Sequence, residues 1–75
     1  MNTELIEIKP DVCNGKPVLK GTRITVQSVL ELLAAGDSID EVLKAYPALT
    51  KEHVLASVDM AARIMGNGFS IRSMA

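Results

Sequence analysis

A single cysteine, Cys13, and a single histidine, His53, occur in the 75 residues, so one copy of the chain can assemble neither a disulfide nor a Cys/His metal cluster. Neither has a paired base, acid or second ligand near it in sequence. Both therefore read as structural, and the chain is expected to be no enzyme, with no catalytic residue, metal or cofactor. Aromatic residues make up only 3 % of a composition that is 48 % hydrophobic, so the apolar content is mostly small and branched aliphatic. A domain this short buries only about 60 % of its unfolded surface and gains stability by association. A homo-oligomer is expected, a dimer first. Basic excess is also missing: the net charge is −1, which excludes a generally cationic nucleic-acid coat. The N-terminal MNTELIEIK has no basic start leading into an apolar run, and no window approaches about eighteen consecutive apolar residues. A soluble, cytoplasmic protein without membrane segments or a small-molecule substrate is the expectation.

What is present divides by periodicity. ELIEIK in residues 4–9 alternates, placing Ile6 and Ile8 on one side, as in a short half-buried strand that Pro10 ends. Asn14-Gly15 is a turn dipeptide, and residues 17–20 form a second short strand. From Thr25 the period becomes helical. Thr25 caps a helix over about 26–35 with Val26, Val29, Leu30 and Leu33 inward and Gly36 as its stop. Ser38 and Glu41 make a capping box for a helix over 39–45, closed by Pro47. Thr50 caps the longest helix, 51–65, striped by Val54, Val58, Ala61 and Met65 and ended by Gly66-Asn67-Gly68. The prediction is a mainly α, three-helix helix-turn-helix domain over residues 1–66 with short N-terminal β-strands, then a tail over 67–75.

The stretch NGKPVLKGTRIT, residues 14–25, invites comparison with a phosphate-binding loop and fails on spacing. Five residues separate Gly15 from Gly21, and the lysine precedes the second glycine. Lys16, Lys20 and Arg23 remain the densest positive charge, with no acidic residue between Asp11 and Glu31. Such cations beside glycines suit a phosphate backbone or an acidic partner, and are equally read as solvated charge around two turns. The second and third helices fit a helix-turn-helix, which would place Lys51 at phosphates and His53 and Ser57 near bases. On a helical wheel Glu52, Ala56, Asp59 and Arg63 point away from the core, a poor face for a polyanion. Met60 and Ile64 widen the apolar stripe beyond the ~100° one buried face needs. Together with Leu32 they point to a subunit or partner interface. Phe69, Ile71 and Met74 in the tail are candidates for docking on the same subunit, a second subunit or another protein.

GKPVLKGTRI, AAGDSIDEVL and YPALT are the segments in which residues 5–62 resemble the family called domain of unknown function 433, also described as VapB-like antitoxin. Gly15, Lys16, Pro17, Gly21, Thr22, Arg23, Gly36, Tyr46, Pro47 and Thr50 fall on its pattern. Thr25 stands where the family commonly has proline and Asn14 where it often has glycine, and both suit their local structure. The resemblance implies a homeodomain-like protein that neutralises a PIN-like ribonuclease toxin and binds operator DNA. The rival reading is a homo-oligomeric protein-interaction module without nucleic-acid binding, in which the basic segment meets an acidic protein.

Overall fold

The computed structural model describes residues 3–67. After a 3-10 turn at Thr3–Leu5, strand β1 (Ile6–Glu7) pairs antiparallel with β2 (Val18–Leu19), Ile6 opposite Leu19 and Glu7 opposite Val18. The strands are shorter than the 4–9 and 17–20 expected from alternation. Pairing stops at Glu7, so Ile8 has no neighbouring strand; it is 61 % exposed, not buried beside Ile6.

The chain makes two tight turns, one between the strands and one after β2. Cys13, Asn14 and Gly15 all adopt positive φ, and the Cys13 thiol donates to the Arg23 carbonyl at 3.4 Å, joining the first turn to the second. In the second, the Leu19 carbonyl accepts from both the Thr22 N–H (3.0 Å) and its hydroxyl (2.8 Å). The Thr22 hydroxyl in turn accepts from the Ile24 N–H. Gly21, at φ +82°, supplies the left-handed residue that lets the chain reverse here.

Three helices follow: α1 (Val26–Ala34), α2 (Ile39–Ala45) and α3 (Lys51–Asn67). Each start has a side-chain cap. The Thr25 hydroxyl accepts from the Ser28 N–H at 3.0 Å. Ser38 and Glu41 form a reciprocal capping box on α2. On α3 the Thr50 hydroxyl accepts from the His53 N–H (3.3 Å), while His53 Nδ1 accepts from the Thr50 N–H (3.0 Å). This is the same reciprocal pattern with an imidazole where a carboxylate usually sits. At the end of α1, Gly36 N–H bonds the Leu33 carbonyl and Asp37 N–H the Leu32 carbonyl. That Schellman closure needs Gly36 at φ +103°.

The core gathers Leu19 from β2, Val26 and Val29 from α1, Val42 from α2, Leu49 from the connector and Val54 from α3. The architecture is mainly α: three helices with a two-stranded antiparallel sheet at the N-terminal side. Residues 46–50 turn the chain between α2 and α3, giving the helix-turn-helix order. No helix of the described residues is long and apolar enough to cross a membrane.

One helix sits differently from its hydrophobic pattern. The stripe Val54, Val58, Ala61, Met65 would face inward, yet Val58 is 44 % and Met65 55 % exposed. Ala56, expected outward, is 3 % exposed and Ser57 is fully buried. The helix is thus turned toward its small residues, which let its axis approach the others closely. Ser57 needs no external partner there, because its hydroxyl donates to the His53 carbonyl one turn back at 3.0 Å. Gly66 and Asn67, expected as the stop, are still helical.

Candidate interaction surfaces

The α1 and α3 faces do not close on each other along their full length. α3 has 17 residues and α1 nine, so the last turns of α3 project, and residues 62–67 are all exposed. Between the helices lies a groove of about 550 Å³ lined by Val26, Leu30 and Ala34 from α1 and Met60, Ala61 and Ile64 from α3, with Pro17 and Met65 beside them. Its polar rim is a short chain: Lys16 Nζ lies 3.5 Å from Gln27 Oε1, and Gln27 Nε2 donates to Glu31 Oε2 at 3.1 Å. The floor is apolar, so the groove can bind apolar matter.

A smaller hollow of about 340 Å³ lies beside the turns and is lined by Glu7, Lys9, Val12, Val18, Gly21, Thr22 and Arg23. Lys9 approaches Glu7 at 3.8 Å. The three cations expected together border different hollows or none. Lys16 borders the α1–α3 groove, Arg23 borders the smaller hollow, and Lys20 is exposed on the turn between. Lys51 is exposed at the start of α3. Neither Lys20, Arg23 nor Lys51 joins a salt bridge among the described residues.

Two residues expected near DNA bases lie elsewhere. Ser57 has no exposed surface and its hydroxyl is spent inside its own helix, so it leaves the set. His53 is half-buried and its Nδ1 closes the α3 cap, leaving only Nε2 for an outside partner. Of the interface candidates, Leu32 packs against the core of its own chain, which explains its place off the first helix's stripe without a partner. Met60 touches the core and also lines the groove, and Ile64, 50 % exposed, lines it from the projecting turns. Phe69, Ile71 and Met74 lie outside the described residues.

Sequence reasoning missed the outward face of α3. Leu55 (47 % exposed), Val58, Ala62 and Met65 recur at spacings of three, four and three, which puts them in one line along the helix. The spacing was visible in the sequence, but the assumption that the most apolar stripe faces inward concealed it. Glu52, Asp59 and Arg63 border this line on one side, and Arg63 Nε bonds Asp59 Oδ2 at 3.5 Å. The one perturbed titration in the described residues is remote from both surfaces: the Ser38 backbone N–H on Glu41, helped by the Ser38 side chain, holds that carboxyl below its ordinary value of 4.5. Those residues contain no group of three or more His, Cys, Asp or Glu able to hold a metal ion.

Comparison with known proteins places these features in a family. The model of the family described as "Protein of unknown function (DUF433)" matches residues 6–61. An uncharacterised protein of Sinorhizobium fredii (strain NBRC 101917 / NGR234), y4eO, is 41 % identical over 56 residues, 73 % of this chain and 25 % of that protein. The chain thus spans a quarter of the length of this curated relative. The crystal structure of a DUF433 member from Anabaena variabilis ATCC 29413 superposes with a TM-score of 0.75 at 32 % identity, covering 79 % of this chain and 58 % of that one. The chain belongs to the DUF433 family, proteins of unknown function.

Proposed function

We propose that the chain is an antitoxin-like protein that neutralises a PIN-like ribonuclease by holding an apolar segment of it in the α1–α3 groove. The observation that carries this reading is the groove itself: an open, apolar-floored cleft of about 550 Å³ with a polar rim, the composition of a site that anchors a partner's hydrophobic side chains. The family resemblance supplies the kind of partner. The test is to purify the product of the adjacent gene, where it is PIN-like, and titrate it with the chain by calorimetry while following RNA cleavage. The wild type is expected to bind and inhibit. Leu30→Asp, which puts a carboxylate on the groove floor, is expected to weaken binding by about tenfold or more with helical circular dichroism retained. Full inhibition by that variant sinks the assignment to the groove.

Operator binding is the second reading, favoured by the exposure of Lys20, Arg23 and Lys51 outside any salt bridge of the described residues. The acidic and apolar outer face of α3 and the burial of Ser57 weigh against base reading by this helix. Contacts to phosphates are the form of binding these cations support. Replacing Lys20 and Arg23 together by alanine should weaken binding to every sequence alike and reduce the salt slope by about one per lost phosphate contact. A slope that does not move removes DNA and leaves the protein-interaction module.

A further inference from the structure

We infer that the outward line of α3 is a homodimer seam, in which two copies of α3 pack antiparallel about a two-fold axis. The seam is distinct from the α1–α3 groove, although Met65 borders both. Leu55, Val58, Ala62 and Met65 occupy alternate steps of three and four residues on the exposed side, the a/d spacing by which one helix interlocks with another. A seam with this period calls for a helical occupant of the same period.

A second copy of α3 meets that requirement in one register. Setting Leu55 opposite Met65 of the partner subunit brings Val58 opposite the partner's Ala62. Symmetry then repeats both contacts, as an isologous interface demands. Each layer joins a larger side chain to one it can pack against, and the smaller pair lies nearest the axis, where the helices approach most closely. The charges also fit. Lys51, at the start of the seam, comes beside the last described turn of the partner helix, the end at which a helix dipole favours a cation. Asp59, which approaches its symmetry mate along one edge, is already bonded to Arg63 of its own helix, so no unneutralised like charge meets at the axis. Burying this line would relieve the deficit left by a core to which α3 contributes, besides Val54, only an alanine and a serine.

The mass of the full chain, measured in solution by light scattering at micromolar concentration without any other protein, tests the seam independently of toxin binding. The expected result is a two-chain mass that Val58→Glu halves while helical circular dichroism is kept, and that Leu30→Asp in the groove leaves unchanged. A one-chain mass for the wild type, a mass above two chains, or a dimer that Leu30→Asp breaks and Val58→Glu does not, overturns it. Register is read by oxidation in a Cys13→Ser background. Chains carrying Val58→Cys and Ala62→Cys should form a mixed disulfide faster than either forms with itself. Preferential self-linking of the Val58→Cys chain would indicate parallel helices and overturn the antiparallel arrangement.

Discussion

The two halves of α3 obey opposite rules. From Thr50 to Ser57 the helix is capped, closely packed and paired with the core through Val54, Ala56 and Ser57. From Val58 onward it carries more hydrophobic side chains and buries fewer: Val58, Ile64 and Met65 are each about half exposed. Apolar character alone therefore does not decide which residues of a small domain lie inside. Close approach of helices favours small side chains, and what the close contact excludes is left for a partner.

The sharpest way to break this contrast is to enlarge the small buried residue. Ser57→Leu raises the hydrophobicity of α3 and, on the stripe expected from sequence, would be harmless on the outside of the helix. In the observed packing it forces four-carbon bulk into a site with no free surface and should cost about 1–3 kcal/mol, read as a lowered urea midpoint. Met65→Ser, in the second half, should stay within about 0.5 kcal/mol for the monomer. Equal responses from the two variants would sink the claim that the halves differ.

Capping gives a smaller effect on the first half. Thr50→Ala removes the hydroxyl that accepts from the His53 N–H and should cost about 1 kcal/mol. His53→Gln, which keeps an acceptor for the Thr50 N–H, should lose less than His53→Ala when thermal midpoints are compared. If His53→Ala melts with the wild type, His53 has no part in the cap.

Local chemistry is what the sequence made legible. Thr25, Ser38 with Glu41, Thr50 and Gly36 each act within one turn of their own position, so their roles followed from spacing and held in the structure. The strand pairing was legible in kind but not in extent, because Ile8 alternates with its neighbours whether or not another strand reaches it. The orientation of α3 was not legible. It depends on how closely α1 and α2 approach, which no wheel drawn from one helix contains. The same limit misassigned Ser57, whose polarity suggested a contact and whose size determined its burial. The groove was legible in part: Met60 and Ile64 were expected at an interface, but Val26, Leu30 and Ala34 opposite them follow only from how α1 lies beside α3.

The smallest expected effect separates the two reciprocal caps by their chemistry. Glu41 and His53 both reach back to the N–H of their capping residue, but only the Glu41 box depends on a carboxylate. The Ser38 N–H, with the Ser38 side chain, stabilises the ionised form and lowers its pKa on folding. A depressed folded value means the contribution to stability is complete above the unfolded value and is lost as pH falls through the folded one. Glu41→Gln keeps an acceptor for the Ser38 N–H and removes the ionisation. The stability gap between wild type and this variant should therefore be constant at neutral pH and shrink once pH falls below 4.5, the ordinary glutamate value. Paired denaturant titrations across that range measure it. A gap that stays the same in acid would mean that the carboxylate, although exposed at the surface, is held no differently in the folded chain than in the unfolded one, and that the α2 cap depends on the serine alone.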